Sequence, residues 1–468
     1  MNAIFLKEYE EYTREELINK MGLEENEFND FFYKAQVKKI IKINKKDNIS
    51  FSYVGILIYK QNVLFFVPKI YPTEQICNKN LYLEFLSNII NLFKNYSKRE
   101  SLLNEELQTL NFEQDSESNI LSTMSYIIDD FNEYGVYKNE LDILELNGCG
   151  DTEWDETMDT FIPYIDRNQV IYMDYLSSEN ICDENYIVTK IHKAVVNKCI
   201  SFCKEYNLDK LLGYEGICEI DSDYDIDYDE EMFINLIDQE LAIQYEDRKV
   251  RVLHAIKSFL TQNNGSQQDR LEAFGSTNFE NIWENICSDI LGNEFVGNGR
   301  YKKFKLKEPV WTKDKSAEIN ISKKRKGRKN ILNPDTLKVV KNNGETILLI
   351  LDAKYYDLNF ISQNEVINNP GMGDISKQYM YELALKEYCN QNTITKCINV
   401  FMIPSFKDTY SLGTVKLDFL NGIENLTCIN LIKLDINEVI NIYCNEEKYN
   451  ISKFIELCTS KEEEKEND

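Results

Sequence analysis

The most informative pattern of apolar and polar positions lies near residue 340, where it predicts a β-hairpin. Residues 336–340 alternate apolar and polar side chains, as in a strand with one buried face. Asn343 and Gly344 follow, a pair that accepts the positive φ of a tight hairpin turn. Residues 346–351 are then almost entirely apolar, which indicates a strand buried on both faces. We therefore predict a hairpin whose second strand lies inside a sheet.

The turn also predicts which residues face each other across the hairpin. With a two-residue turn and no bulge, Asn342 pairs with Glu345 and Asp335 pairs with Asp352. The two aspartate Cβ atoms would lie roughly 5 Å apart, and Lys354 would share their face. Opposed aspartates repel each other unless a cation lies between them, and carboxylate oxygens suit Mg²⁺. The alternative is that these acids only cap the hairpin in solvent.

A helix is predicted before the hairpin, between an N-cap at Ser276 or Thr277 and an end at Gly292. Its apolar side chains recur at i, i+3, i+4 and i+7 spacing. They are Phe279, Ile282, Trp283, Ile286, Cys287, Ile290 and Leu291. Glu280 and Glu284 lie one turn apart at the edge of this stripe, so either can lean over the sheet as a third acid. The alternative is a salt-bridged pair on the surface.

A second helix and a strand follow the hairpin. Asp374 can cap a helix from Ile375 to about Tyr388, on which Gln378 and Tyr381 lie one turn apart. An amide and a phenol at these positions can orient a phosphate or a water, although, taken by themselves, they are better explained by the ordinary polarity of an exposed helix. Residues 398–404 are predicted as another buried strand.

Elsewhere the pattern predicts mainly helices, with one hairpin near the N-terminus. Helices are expected within 1–40, 78–110, 114–145, 187–206 and 231–262, and a hairpin within 49–71.

Three polar segments separate or flank these elements. Residues 261–269 form a polar linker that we interpret as a domain boundary. Residues 221–231 are strongly acidic but lack the glycine and the final glutamate of an EF-hand, so a solvated loop is favoured. The charged residues 461–468 are expected to be a disordered tail.

Composition excludes several functional classes. The chain has two histidines and twelve cysteines without a CxxC pair, which argues against a zinc site and favours reduced thiols. It shows no signal peptide and no apolar run of transmembrane length, so we expect a soluble, cytoplasmic protein without a membrane partner. It also lacks a Gly-x₄-Gly-Lys-Ser/Thr loop, which excludes nucleotide hydrolysis by that motif.

The formal net charge of −26 argues against tight, unaided DNA binding over the whole surface. Residues 300–329, however, contain thirteen Lys and Arg against three acids. Lys302, Lys303, Lys305 and Lys307 alternate, as in a strand with one cationic face. A second basic cluster comprises Lys323, Lys324, Arg325, Lys326, Arg328 and Lys329. This strip can clamp phosphates beside a metal site or can simply solubilise the chain.

Several segments resemble known restriction enzymes. Pro334-Asp335, followed after sixteen residues by Asp352-Ala353-Lys354, resembles the PD-(D/E)XK motif of restriction-endonuclease-like nucleases. Residues 53–56 and 67–71, and less specifically 147–160, resemble segments of McrC-like and LlaJI-type restriction subunits. The resemblance covers most of the chain.

The resemblance implies a Mg²⁺-dependent DNA endonuclease of a restriction system, in which Mn²⁺ can substitute. The implied metal ligands are Asp335 and Asp352, with Glu280 or Glu284 as the third acid. Lys354 would position or deprotonate the attacking water or stabilise charge on the phosphate, and Gln378 and Tyr381 match the family's Gln and Tyr on the following helix. The implied partners are double-stranded DNA, a separately encoded McrB-like AAA+ GTPase and a second copy of the chain for double-strand cleavage.

We predict an α/β chain, mixed α+β overall, with four parts. They are a β-rich module at 1–75, a mostly helical region at 76–265, a PD-(D/E)XK nuclease domain at 266–460 and the tail at 461–468. Two alternatives to the partnered nuclease stay open. One is a stand-alone Type II-like endonuclease that reads DNA through residues 300–330, and the other is an adaptor without catalytic activity.

Overall fold

The computed structural model confirms the mixed α/β class, since helices and strands both occur along the chain. It describes residues 2–44, 47–60, 62–76, 78–99, 120–167, 169–183, 185–205, 208–221, 230–263, 271–297, 299–307, 311–312, 318–319, 331–342, 344–362, 365–420 and 426–459.

The α-helices of these ranges are numbered in chain order. They are Arg14–Met21 (α1), Glu25–Val37 (α2), Lys79–Arg99 (α3), Ile120–Tyr134 (α4), Trp154–Thr160 (α5), Ile187–Glu205 (α6), Asp209–Leu212 (α7), Glu230–Ile243 (α8), Asp247–Asn263 (α9), Phe279–Ile290 (α10), Arg300–Lys303 (α11), Met372–Gln391 (α12), Ile436–Cys444 (α13) and Ile451–Thr459 (α14).

The strands are numbered in the same way. They are Asn2–Lys7 (β1), Glu11–Tyr12 (β2), Ile41–Ile43 (β3), Ile49–Phe51 (β4), Val54–Tyr59 (β5), Asn62–Val67 (β6), Glu140–Leu146 (β7), Asp151–Thr152 (β8), Tyr164–Asp166 (β9), Gln169–Ile171 (β10), Leu176–Cys182 (β11), Leu271–Ser276 (β12), Trp311–Thr312 (β13), Glu318–Ile319 (β14), Thr336–Asn342 (β15), Glu345–Ala353 (β16), Asn359–Ser362 (β17), Glu365–Ile367 (β18), Lys396–Ser405 (β19), Tyr410–Val415 (β20) and Ile429–Asp435 (β21).

The chain divides into two compact units that do not follow its linear order. The larger unit contains residues 2–57, 62–108 and 275–468, and the smaller contains 109–274 with 58–61 and Met1. The N-terminal module and the proposed nuclease region, which the sequence suggested as separate ranges, therefore share one unit.

The larger unit is built on a five-stranded sheet with the order β15-β16-β19-β21-β20. β15 and β16 are antiparallel, β16, β19 and β21 run parallel, and β20 is an antiparallel edge strand. β16 is buried from Ile347 onwards, as its apolar run predicts. Helices α10 and α12 both contact this strand, so the functional positions at its end lie between two helices.

Apolar packing explains the position of α12. Its Tyr381 and Leu385 join Leu337, Leu348 and Ile350 in one buried cluster. The side chains of α10 that are buried are those of the predicted stripe: Phe279, Ile282, Trp283, Ile286, Cys287 and Ile290. The predicted stripe is thus confirmed, and burial of this face fixes which way the glutamates of α10 point.

The N-terminal part of the larger unit pairs β1 with β6 in parallel. Gly275 approaches this module closely, because a Cβ at that position would lie 2.1 Å from the Val54 carbonyl oxygen. Only glycine fits that contact without a backbone shift.

The smaller unit combines helices with strands. α4, α6, α8 and α9 pack together, and His192 of α6 is buried, with its Nδ1 accepting a hydrogen bond from the Tyr137 amide. A three-stranded sheet has the order β7-β11-β8. The prediction of helices within 114–145 is confirmed by α4 and is wrong for the end of that range, because β7 begins at Glu140 and pairs with β11.

Other differences concern local elements. The N-terminal segment begins with strand β1 rather than a helix, since pairing with β6 outweighs its charged, helix-like composition. Helix α10 begins after Asn278, and α12 begins after Gly371 rather than Asp374. The predicted tail and the core of the acidic segment, residues 222–229, lie outside the described residues. Among the described residues, no helix is long and apolar enough to cross a membrane.

Candidate active site

The hairpin brings Asp335 and Asp352 together at one end. Thr336 pairs with Leu351, and the register continues regularly to Asn342 opposite Glu345. This is the predicted register. Asp335 directly precedes Thr336 and Asp352 directly follows Leu351, so the two aspartates lie next to this pair at the open end of the hairpin. The Ala353 amide donates a hydrogen bond to Asp335 Oδ2 at 3.2 Å. The Asp335 carboxyl is therefore tied to the strand that carries Asp352.

Two side chains from elsewhere fix the backbone beside Asp335. Asn293, just after α10, donates from Nδ2 to the Asp335 carbonyl at 2.9 Å and accepts at Oδ1 from the Leu337 amide at 3.0 Å. Tyr381 of α12 donates its hydroxyl proton to the Asn333 carbonyl at 2.8 Å. Sequence reasoning missed Asn293, whose only local signal is that it follows the helix-ending Gly292.

Asp352 is almost fully buried and has two different carboxylate oxygens. Oδ2 lies 2.6 Å from Lys354 Nζ. Oδ1 is buried and receives no hydrogen bond from an amide, hydroxyl or ammonium group in the part of the chain that the structure describes. The Asp335 carboxyl lies within hydrogen-bonding reach of Asp352. A buried carboxylate with one uncompensated oxygen favours a cation at this position.

Lys354 is held between two carboxylates. Its Nζ lies 3.2 Å from Asp374 Oδ1 as well as beside Asp352. Burial lowers the pKa of Lys354, but the charges and hydrogen bonds of Asp352 and Asp374 outweigh it and raise the pKa overall. The side chain is therefore an ammonium at neutral pH. Asp374 was predicted only as a helix cap, and its contact with Lys354 was missed.

Glu284 of α10 is the third acid of this cluster. Its side chain is hydrogen-bonded to Asp335 and lies within the field of Asp352 and Lys354. Burial, reinforced by Asp352 and Glu284, raises the pKa of Asp335 to about 9. Burial and the Asp352 charge likewise raise the pKa of Glu284, against the lowering effect of its bond to Asp335. Two carboxyl groups that resist ionisation, placed beside the Asp352 carboxylate, form a site that a cation would stabilise.

Glu280 is exposed one turn earlier on α10. Its charge acts on Lys69 and Tyr356. Of the two predicted glutamates, the structure brings Glu284 to the aspartates and leaves Glu280 outside the cluster.

The two predicted side chains of α12 have different environments. Gln378 is buried and donates from Nε2 to the Ile350 carbonyl at 2.9 Å and to Asn399 Oδ1 at 3.3 Å. Its Nε2 is therefore directed to groups of the sheet, and the alternative that Gln378 is an exposed polar residue of the helix is wrong. Burial, followed by the charges of Asp352 and Asp335, raises the pKa of Tyr381. Tyr381 therefore lies near the acids and holds the loop that carries one of them.

The predicted basic strip is described only in part. Lys302 and Lys303 belong to the short helix α11, so the prediction of an alternating strand was wrong. The physical reason is that Phe304 and Leu306, which follow this helix, are buried and favour a compact turn. Lys305 follows with a positive φ, and Lys303 Nζ pairs with Glu294 at 2.9 Å. The cluster of Lys323, Lys324, Arg325, Lys326, Arg328 and Lys329 lies outside the described residues.

The three acids offer the oxygen donors that a hard divalent cation prefers. Across the described ranges, no group of three or more His, Cys, Asp or Glu side chains is placed so that it could hold a metal ion. The carboxyls of Asp335, Asp352 and Glu284 nevertheless converge, with one buried oxygen of Asp352 left uncompensated. All-oxygen ligands of this kind suit Mg²⁺, which usually binds through one or two carboxylates and keeps several waters.

A comparison with protein families decides the assignment. Residues 53–446 match the family model for LlaJI restriction endonuclease. The chain belongs to the LlaJI restriction endonuclease family. This confirms the family resemblance inferred from the sequence.

Other known proteins are similar to this LlaJI-family chain. The "Type II restriction enzyme BsuMI component YdjA" of Bacillus subtilis is 26% identical over 459 residues, which cover 95% of this chain and 90% of the relative. Among solved structures, a McrB AAA+ hexamer assembly with bound McrC from Thermococcus gammatolerans contains a chain with a TM-score of 0.40 and 10% identity. That match covers 95% of the LlaJI-family chain and 98% of the other.

Proposed function

We propose that this protein is the nuclease subunit of a restriction system and hydrolyses DNA phosphodiester bonds with Mg²⁺, for which Mn²⁺ can substitute, at a PD-(D/E)XK site. One observation carries the proposal. Four side chains from different elements converge at the end of a buried hairpin. They are Asp335 and Asp352 from the two sides of the hairpin, Glu284 from helix α10 and Lys354 from the loop after β16. Membership of a restriction endonuclease family supports it independently.

Asp335, Asp352 and Glu284 would hold the metal. When bound, Mg²⁺ would supply Lewis-acid polarisation of a phosphate oxygen and would offset the charge that develops there. The uncompensated Oδ1 of Asp352 and the raised pKa of Asp335 support these ligands.

Lys354 acts as a positioned cation rather than as a general base. Its raised pKa keeps it protonated at neutral pH, so it does not remove a proton from water. Instead its ammonium orients the attacking water or stabilises negative charge on the phosphate. Asp374 is the second carboxylate that positions the Lys354 ammonium, in addition to Asp352.

Tyr381 has a positioning role, since its hydroxyl holds the carbonyl of Asn333 two residues before Asp335. Asn293 does the same from the other side of the loop. Gln378 supports the sheet beneath the site through Ile350 and Asn399.

We further propose that a separate AAA+ GTPase recruits this protein to double-stranded DNA. The net charge of −26 opposes unaided binding to a polyanion. The Bacillus subtilis relative is named as a component of a restriction enzyme, which agrees with a multi-subunit enzyme.

Plasmid cleavage tests this function. The full chain is incubated with plasmid DNA and Mg²⁺, with and without a McrB-like AAA+ protein from the same organism, and with a chelator as control. We expect chelator-sensitive cleavage that requires the partner. Cleavage by the chain alone would favour the stand-alone enzyme, and no cleavage in either mixture would contradict the nuclease assignment.

A further inference from the structure

A cleft of about 440 Å³ in the larger unit is not used by the proposed chemistry. Its walls include Lys7, Tyr9 and Lys69 from the N-terminal module, and Tyr356 from the segment after β16. Three acids, Glu8, Glu10 and Asp357, also line it. Glu10 accepts a hydrogen bond from the Tyr12 hydroxyl, and Asp357 accepts one from Asn359 Nδ2. The volume lies in the range of small-ligand sites. The segment Val67 to Tyr71, which resembles the family's N-terminal segment, contributes Lys69.

Lys69 presents a cation to this cleft. Its Nζ lies 4.3 Å from the ring centre of Tyr355 and 5.2 Å from that of Tyr9. In the described part of the chain, no carboxylate oxygen lies within 4.0 Å of it. Burial lowers the pKa of Lys69, while the charges of Glu8, Glu280 and Asp357, none of them in contact with the ammonium, oppose that change. The ammonium is thus held by aromatic faces and lacks a contact ion pair.

The acid whose charge acts most strongly on Lys69 is directed to other groups. Glu8 is buried, and its Oε2 accepts hydrogen bonds from the Tyr355 hydroxyl and from the Lys69 amide. Burial raises the pKa of Glu8, although both hydrogen bonds oppose this. Glu8 therefore fixes the backbone of Lys69 against Tyr355, the residue after Lys354, and leaves the Lys69 ammonium for another anion.

Tyr9 forms an aromatic wall of the cleft in a conformation that side chains rarely adopt. Its φ is 59°, and its side chain is 40% exposed. The Tyr9 amide bonds to the Phe51 carbonyl at 2.9 Å, and its hydroxyl shares a hydrogen bond with Ser52 Oγ at 3.0 Å. Strained residues that neighbours hold in place occur preferentially at functional sites.

The cleft and the acid cluster share a wall. Tyr356 lines the cleft, and its hydroxyl donates to Asp374 Oδ2 at 3.3 Å. Asp374 Oδ1 in turn contacts Lys354 Nζ. Tyr356 and Asp374 therefore connect the cleft to the lysine to which the cleavage chemistry is assigned.

We propose that this cleft binds one nucleotide of the DNA strand to be cut, with its phosphate on Lys69 and Lys7 and its sugar or base against Tyr9. The inference rests on the proposed nuclease function and adds a substrate-positioning site to it. Lys7 Nζ contacts only the hydroxyl of Thr73, at 3.2 Å, among the described residues, so its charge is also available. Phosphate binding by lysine is sequence-independent and weakens with salt.

The test measures kcat and KM for plasmid cleavage with Mg²⁺ and the AAA+ partner at several salt concentrations. We expect Lys69→Met to raise KM about tenfold, to change kcat by less than about twofold, and to reduce the slope of log(1/KM) against log salt by about one. Lys69→Arg should restore most of the affinity. Lys453→Met is the matched control, because Lys453 is exposed and pairs with Glu438 away from the cleft.

The outcomes separate this inference from the proposed function. If Lys69→Met has the KM and the salt slope of wild type while Asp352→Asn is inactive, the cleft does not bind the DNA strand, but the proposed nuclease function still holds. Full activity of Asp352→Asn would overturn the proposed function. If Lys69→Met does not fold, Lys7→Met serves as the second variant with a smaller expected rise in KM. Thymidine monophosphate is also added as an inhibitor of plasmid cleavage by wild type and by Lys69→Met. If it inhibits Lys69→Met less than wild type while the KM for plasmid is the same in both, the cleft binds a free nucleotide, which contradicts the proposal.

Discussion

The side chain of Glu284 on helix α10 is hydrogen-bonded to that of Asp335, the residue just before β15. Two carboxyl groups this close are stable only if they share a proton or a cation. Because burial and neighbouring acids raise the pKa of Asp335 to about 9, the metal-free protein holds that proton at neutral pH. A divalent cation would displace it.

This proton gives the metal-free protein a defined pH dependence. Between the ordinary pKa of 3.8 and the folded value of about 9, unfolded chains lose the Asp335 proton while folded chains keep it. Folding stability should therefore fall as pH rises through this interval. Mg²⁺ binds the ionised form, so it should raise the melting temperature more at pH 8 than at pH 6. Thermal unfolding in chelator and in Mg²⁺ measures this, and an equal Mg²⁺ effect at both pH values would contradict it.

Glu284 and Glu280 form a matched pair for testing the third acid. Glu284→Gln should raise the Mg²⁺ concentration needed for half-maximal cleavage by about tenfold, because it removes a ligand charge from the cluster. Glu280→Gln, one turn away and exposed, should leave the Mg²⁺ dependence unchanged. A Mg²⁺ titration of cleavage rate compares the two. The assignment is wrong if the Glu280 variant shows the larger effect.

Asp374 is expected to position Lys354. Asp374→Asn removes one of the two charges that hold the Lys354 ammonium, and hydrogen bonds to charged groups are worth about 1.5–3 kcal/mol. Cleavage should slow by roughly ten- to a hundredfold through kcat, with little change in KM. Glu387→Gln, on the same helix but exposed and paired with Lys307, is the control. Single-turnover rates within twofold of wild type would exclude the positioning role.

Gln378 should contribute to stability rather than to catalysis. Gln378→Ala removes one donor from the buried Ile350 carbonyl and one from the Asn399 side chain, and the loss of partners for buried polar groups costs about 1–3 kcal/mol. Chemical unfolding measures the loss, with exposed Gln391→Ala at the end of the same helix as the control. If Gln378→Ala keeps wild-type stability but loses cleavage, the residue acts at the phosphate after all.

Local rules are sufficient to predict the centre of the site. The register of the hairpin follows from the alternation in β15, the apolar run of β16 and a short turn. It places Asp335 and Asp352 next to the pair of Thr336 and Leu351. The buried stripe of α10 also follows from its spacing. These features depend on residues close in sequence, where chain geometry leaves few choices.

The parts that could not be predicted depend on tertiary packing. Asn293 reaches Asp335 only because α10 ends beside β15, and Asp374 reaches Lys354 only because α12 packs on β16. The choice between Glu280 and Glu284 required the orientation of α10 relative to the sheet. For the same reason, nothing in the sequence indicated that Lys69 lies against Tyr355.

The most direct test of the active site compares plasmid cleavage by wild type and Asp352→Asn, with Mg²⁺ and the AAA+ partner present. Asp289→Asn is the control, because Asp289 lies exposed on α10 and pairs with Lys448. We predict that Asp352→Asn folds but loses at least about a thousandfold in cleavage rate, while Asp289→Asn cleaves like wild type. Cleavage by a folded Asp352→Asn protein at the wild-type rate would mean that the hairpin is structural and that the site lies elsewhere.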